Sequence, residues 1–195
     1  MNSLTAEKEI AEKIISSHGS ERPFILAIDG RCAAGKTTFA LSLSRLSGAA
    51  VVHMDDFFLQ PFQCTQKRLE TPGENVDWER FKNEVLLPLN RGETARFCPF
   101  DCHSLGFKDE ISVSPENGVI VEGTYSMNRE LQKFYSMRVF MSVSPEIQIK
   151  RLIKRNGESG AEIFRKKWIP LEEKYFSAYG LREQCDYVVI TDEQD

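Results

Sequence analysis

The 195-residue chain has no apolar run approaching the length of a transmembrane helix, so a membrane-spanning protein is not expected. It also lacks surplus positive charge. Its 25 basic and 29 acidic residues leave a net charge of -4, which argues against nucleic acid or an anionic membrane as the main partner. Any anion it binds must then be held by local cations and backbone N–H groups. The five cysteines are odd in number and scattered at 32, 64, 98, 102 and 185, a pattern of reduced thiols more than of a disulfide framework. Internal repeats and low-complexity segments are missing too. The opening segment MNSLTAEKEIAEKIISSHGSERP carries several acids and no continuous apolar core, so no secretory signal is expected and the cytoplasm is the default location.

What is present is ordinary for a globular chain: 41% hydrophobic and 28% charged residues. The length fits one domain that buries roughly 70% of the surface its unfolded form exposes. Apolar residues at helical spacing predict a first helix over residues 3–17. FILAI (24–28) is a short continuous apolar run of the kind buried on both faces of a parallel sheet. KTTFALSLSRL then predicts a helix with Phe39, Leu43 and Leu46 on one side, ended by Gly48, and AAVVHM a second buried strand.

Residues 60–76 are broken by Pro61, Pro72 and Gly73 and read as a long loop, and VDWERFKNEVLLPL reads as a helix with Asp77 at its N-cap. ARFCPFD and EISVSP are expected to be arms of a small hairpin or flap. GVIVEG, RVFMSV and DYVVIT complete five strands, the last two separated by basic, amphipathic helices. Ser144 caps the first of these helices, with Pro145 at its opening position. Strands alternating with helices predict an α/β fold with right-handed crossovers and a mostly parallel five-stranded sheet covered on both faces, in three α/β/α layers.

Between the first strand and the second helix lies DGRCAAGKTT, which contains Gly30-x-x-x-x-Gly35-Lys36-Thr37, a complete phosphate-binding loop. Such a loop turns successive N–H groups inward around phosphate oxygens, so Gly30, Arg31, Cys32, Ala33, Ala34, Gly35, Lys36, Thr37 and Thr38 are the expected ATP-binding residues. The lysine reaches the terminal phosphates, the threonine hydroxyl ligates Mg²⁺, and the helix N-terminus adds its positive end. The second strand runs into VVHMDDFF. If that strand is parallel to the first, Asp55 and Asp56 emerge on the edge that carries the phosphate loop, where ligands bind in open α/β sheets. A carboxylate there can accept the proton of an attacking hydroxyl.

Gly30 to Thr37, MDDFF, NVDWERF and VEGTY together, in order and spacing, resemble the uridine kinase and related nucleoside kinase group of P-loop kinases, over about Phe24 to Thr191. The resemblance implies a P-loop kinase domain over 1–195, with an acceptor-binding insert at about 56–113 and a lid at about 155–165. It implies ATP and Mg²⁺ as cofactors and a nucleoside 5′-hydroxyl, such as that of uridine or cytidine, as acceptor. Asp55 matches the base that activates the hydroxyl, with Asp56 behind it and Phe57 and Phe58 shaping the acceptor site. Asp77 matches the carboxylate that grips the ribose hydroxyls, while its reading as a plain helix cap stays open. Glu122 matches an acid beside Mg²⁺, together with Thr37.

CPFDCH resembles the segment that presents an aromatic ring and a histidine to the base, here Phe100 in place of the usual tyrosine and His103 earlier than usual. The lid run RLIKRNGESG departs from the family pattern, leaving Arg151, Arg155 and Arg165 as candidates to bridge phosphates, with Gly157 and Gly160 as hinges. Arg155 is the expected catalytic arginine and Arg151 a substrate contact; for each, a solvated helix face is the alternative. Other acceptors (nicotinamide riboside, pantothenate, a phosphorylated sugar) and a nucleotide-driven switch are the rival readings. The choice of ATP over GTP and the oligomeric state, a homodimer included, stay open.

Overall fold

The computed structural model of the protein describes residues 3–192. The expected domain span of 1–195 therefore includes residues 1–2 and 193–195, which lie outside the described residues. The strands are β1 (Ile25–Gly30), β2 (Ala50–His53), β3 (Ala95–Phe97), β4 (Phe100–Asp101), β5 (Gly106–Phe107), β6 (Ile111–Val113), β7 (Val119–Glu122), β8 (Met137–Ser142) and β9 (Tyr187–Ile190). Five of them form an all-parallel sheet in the order β2-β7-β1-β8-β9.

Every residue of β1 and β7 is buried, as continuous apolar runs in a covered parallel sheet require. Successive side chains serve opposite faces. Ile25 and Ala27 join a core with Val52, Phe57, Phe81 and Leu86, whereas Leu26 and Ile28 join one with Ile10, Ile14, Phe39 and Leu43 from the helices α1 (Ser3–Ser16) and α2 (Lys36–Ser47). Two cores on one sheet make the three-layer α/β/α arrangement. Leu46, expected on the buried side of α2, is 52% exposed; the buried row instead runs Phe39, Leu43, Ser47 at four-residue steps.

The segment 60–76 is more ordered than a loop. It holds a 3₁₀ turn at Pro61–Gln63 and a short helix at Gln66–Glu70, whose Thr65 cap accepts the Arg68 N–H. The helix expected after Asp77 is an α-turn at Trp78–Phe81, a π-turn at Lys82–Leu86 and a last α-turn at Leu87–Asn90. The break falls just before Pro88, which has no N–H to give to a continuous α ladder. The flap pairs β3 with β6 as expected, and adds a β4–β5 pair.

After β8 the chain runs through a helix at Pro145–Ile163, a π-turn at Phe164–Trp168 and a helix at Ile169–Tyr179. Ser144 stands at the N-cap, but its side chain accepts no capping bond; its N–H donates to Asp192 Oδ1 at 2.6 Å. Gly157, at φ 70° and ψ 173°, interrupts the first of these helices, where a lid hinge was expected, while Gly160 stays helical. No helix among the described residues is long and apolar enough to cross a membrane.

Gly30 ends β1 at φ +132°, and a Cβ there would lie 2.0 Å from the Met141 carbonyl oxygen of the neighbouring strand. Backbone cannot yield to that overlap without separating β1 from β8. Gly30→Ala is therefore expected to cost about 3 kcal/mol or more in urea unfolding, well above an ordinary surface change.

Candidate active site

The C-terminal ends of β1, β2 and β7 lie side by side, because His53 pairs in register with Glu122, and Ile28 does so from the other side. This edge collects the phosphate loop, the Asp55 turn and Glu122. Asp29, fully buried, starts the loop. Its Oδ1 accepts the Gly30 N–H (2.7 Å), and its Oδ2 accepts the Met127 N–H (2.9 Å) and the Tyr175 hydroxyl (2.9 Å). Burial pushes its carboxyl above the ordinary range, and the two N–H donors, the Tyr175 hydroxyl and Lys36 oppose that rise.

Lys36 is also buried. Its ammonium donates to the carbonyls of Gly30 (2.8 Å) and Arg31 (3.0 Å) and to Thr124 Oγ1 (3.2 Å), holding the charge at the base of the loop. The Thr37 hydroxyl donates to Glu122 Oε1 at 3.1 Å, and His53 Nδ1 meets the same oxygen at 2.6 Å. That hydrogen bond holds the His53 pKa above its usual value, against the opposing effect of burial. A hydroxyl and a carboxylate this close fit Mg²⁺, a hard cation that takes few protein oxygens when phosphates and waters supply the rest. Among the described residues no three His, Cys, Asp or Glu side chains converge as a metal cage would, the Cys98–His103 stretch included.

MDDF folds as a 3₁₀ turn, Met54–Phe57, directly after β2. Phe57 anchors it, fully buried with ring centroids 5.0 Å from both Phe81 and Phe97. Asp55 is thereby turned to the cleft. Its carboxyl is pushed up first by desolvation, then by Glu122 and Asp56, against the pull of Lys36 and His53. The side chain is nonetheless open to water in the cleft, so screening keeps the energetic size of that shift small. Asp56 is raised by the same desolvation, with His53, Lys108 and Arg80 opposing.

Arg80 fastens the insert. Its guanidinium stacks over Phe57 (4.4 Å) and Phe107 (5.0 Å) and donates to the carbonyls of Cys98 (2.8 Å) and Asp56 (2.9 Å).

One cleft of about 750 Å³ collects most of the sequence candidates. On its wall are Cys32, Ala33, Gly35, Lys36, Thr37 and Thr38 of the loop, Asp55 and Phe58, His103 at the flap tip, Glu122, and Arg151 and Arg155. Gly30, Arg31 and Ala34 are off this wall. Arg31 is spent on Glu173 (2.6 Å) and the Val143 carbonyl (3.0 Å), and Ala34 lines a second hollow of about 260 Å³ with Gly35, Thr38 and Thr191. Arg151 braces the loop, donating to the carbonyls of Ala33 (3.2 Å) and Thr191 (2.5 Å) and to Thr191 Oγ1 (3.0 Å). Arg155 lies 5.3 Å over the Phe164 ring and donates to Asn156 Oδ1.

Three of the sequence candidates stand apart from the cleft. Asp77 is 4% exposed and off the cleft wall. Its Oδ1 accepts the Arg80 N–H (3.0 Å) and its Oδ2 accepts from Gln63 Nε2 (2.9 Å), which is the helix-cap arrangement. Phe100 is buried edge-on against Phe107 (5.4 Å), because the β4–β5 pair turns it inward rather than toward a base. Arg165 is exposed and paired with Glu162 (2.7 Å), away from the cleft.

The cleft also holds residues that sequence reasoning passed over: Tyr125, Trp168 and Glu172. Glu172 is 5% exposed, accepts the Cys32 N–H at 3.0 Å, and is pushed up in pKa by burial. Its only signal was an acid on a helix face otherwise read as amphipathic. Tyr125 follows directly on the VEGT strand end, a position next to the loop that could have drawn attention.

No family model matches the chain. It is 23% identical over 176 residues to uridine-cytidine kinase 2-B of Danio rerio, a match covering 81% of this chain and 67% of that one. Two provisionally assigned kinases are similar in structure. The fructose transport system kinase of Silicibacter sp. TM1040 has a TM-score of 0.74 at 19% identity, covering 96% of this chain and 98% of the other. The uridine kinase of Bacillus stearothermophilus has a TM-score of 0.65 at 20% identity, covering 95% and 98%. The fold is that of the P-loop kinases, and the chain resembles the uridine kinase group.

The raised carboxyl of Asp55 sets a sign for stability. A carboxyl whose folded pKa exceeds its unfolded one binds more protons in the native state. It therefore costs stability as pH rises from the ordinary aspartate value of about 4 through the raised value. Asp55→Asn removes that cost. The variant is expected to melt above the wild type at pH 7, with the gap closing as the pH falls to about 4, in parallel thermal melts.

Proposed function

We propose that this chain, which resembles uridine kinases and has the P-loop kinase fold, is a phosphotransferase that moves the γ-phosphoryl group of Mg-ATP onto the hydroxyl of a small alcohol. The observation that carries this reading is a single cleft with Lys36, Thr37 and Glu122 on one wall and the Asp55 carboxyl beside them. A second carboxylate lining the same cleft as the phosphate loop favours this reading over a nucleotide switch.

In this reading Thr37 and Glu122 would hold Mg²⁺, which would supply neutralisation of the phosphate charge. Lys36 exchanges its carbonyl partners for phosphate oxygens. Asp55 aligns the acceptor hydroxyl and takes its proton late, as the phosphoryl group crosses in line, with no covalent intermediate. Its raised pKa suits it to hold that proton. Arg155 swings from Phe164 on the Gly157 hinge to meet the equatorial oxygens. Positioning and electrostatics provide the rate enhancement.

For the acceptor, the Danio rerio relative, by its name a uridine-cytidine kinase, supports a pyrimidine nucleoside, and the family resemblance of the sequence adds its 5′-hydroxyl. A second reading, a small alcohol without a base, is favoured by the withdrawal of Phe100 from the cleft.

The test is ADP release from Mg-ATP with uridine, cytidine, D-fructose or no acceptor. Acceptor-dependent turnover is expected, with kcat lowered roughly 10²- to 10⁴-fold in Asp55→Asn and little change in KM for ATP. Slow ADP release indifferent to every acceptor and to Asp55 would contradict the proposal.

A further inference from the structure

Glu122 is held at one oxygen by donors from two different elements. The Thr37 hydroxyl reaches Oε1 from the first turn of α2 (3.1 Å), and His53 Nδ1 meets the same atom from the end of β2 (2.6 Å). Oε2 takes no hydrogen bond among the described residues, on a side chain that lines the cleft.

The His53 contact is built into the sheet. β2 is an edge strand, and its register sets His53 directly beside Glu122 of β7. The His53 side chain is 40% exposed and could turn to water; instead it makes a short bond to a carboxylate that is 7% exposed. A lone pair on Nδ1 would face the carboxylate oxygen, so Nδ1 carries the hydrogen whether the ring is neutral or charged.

Charge makes this bond matter. Asp55 and Asp56 also lie near enough to act on the ring, and both repel Glu122. A glutamate has several soft torsions, and ordering them costs entropy unless its partners fix it. Two bonds at Oε1 oppose both effects. With the Thr37 hydrogen committed to Oε1, the lone pairs of that hydroxyl stay available to a cation. Without His53 the carboxylate keeps one neutral donor.

We infer that His53 is a positioning residue, its Nδ1–H fixing the Glu122 carboxylate in the place from which it and Thr37 would hold Mg²⁺. This rests on the Mg-ATP phosphotransferase reading above. Groups that hydrogen-bond a metal's ligands commonly tune metal affinity by roughly 10- to 100-fold.

The test measures binding of the β,γ-imido analogue of ATP by calorimetry, once in EDTA and once in saturating Mg²⁺. The proteins are full-length wild type, His53→Ala and His53→Asn, the last because its amide N–H sits close to where the imidazole Nδ1–H does. His53→Ala is expected to match the wild type in EDTA and to lose roughly tenfold of the affinity gained from Mg²⁺. His53→Asn should recover most of that loss. Both variants should melt within a few degrees of the wild type, since the ring is half-exposed.

ADP release from Mg-ATP with uridine, cytidine or D-fructose is followed in the same proteins. An equal Mg²⁺ gain in all three, with acceptor-dependent ADP release, would overturn the assignment and leave phosphotransfer standing. A loss of the same size in EDTA and in Mg²⁺ would mark a merely structural histidine and overturn it too. So would an asparagine variant no better than alanine, or a wild type that gains nothing from Mg²⁺. The expected binding pattern without ADP formed from any acceptor would uphold His53 and sink the phosphotransfer reading.

Discussion

The cleft depends on the carboxyl of Asp29. From the buried end of the central strand it reaches the Gly30 N–H that opens the phosphate loop, the Met127 N–H beyond Tyr125, and the Tyr175 hydroxyl on the helix that carries Glu172. Three separate walls of the cleft are thus tied to one group that is fully removed from solvent. A buried acid is costly when unpaired, and here two backbone donors and a phenol offset that cost. The Gly30 and Met127 donors are backbone N–H groups, so the Tyr175 hydroxyl is the one partner of the three that a side-chain substitution removes, leaving the carboxyl under-satisfied.

On the acceptor side the fastening is of another kind. Arg80 lies between the rings of Phe57 and Phe107 and closes two carbonyls, so the Asp55 turn and the flap share one cation. Asp77 caps the helix that carries Arg80 and is consumed in doing so. Two of the acids on the cleft wall, Asp55 and Glu172, are raised by desolvation. Function here is bought with stability, since groups that must face a ligand cannot also be fully satisfied within the protein.

Much of this was legible in the sequence. The five strands announced themselves as continuous apolar runs because both faces of the sheet are covered, and the phosphate loop is local, so its spacing alone places Lys36 and Thr37. Asp55 could be placed by one step of topology, since β2 is parallel and ends on the same edge as β1. The cap role of Asp77 was legible as well, but its burial and the inward turn of Phe100 were not. Both depend on partners distant in the chain or folded locally in an unforeseen way: Gln63 for the former, the Phe107 arm of the flap for the latter. Tyr125 and Glu172 were hidden for a related reason, because their position on the cleft wall arises from packing of the 169–179 helix against the loop after β7. Leu46 marks the limit of helical periodicity itself, one position off the row that α2 buries.

The measurement that tests the central claim most directly is ³¹P NMR of the full-length protein incubated with Mg-ATP and a mixture of uridine, cytidine, D-ribose and D-fructose. The account predicts a new phosphomonoester resonance, split by the protons on the carbon that bears the phosphorylated oxygen, growing in step with ADP. Inorganic phosphate growing with ADP in place of any phosphomonoester, or an ATP spectrum that does not change, would contradict it.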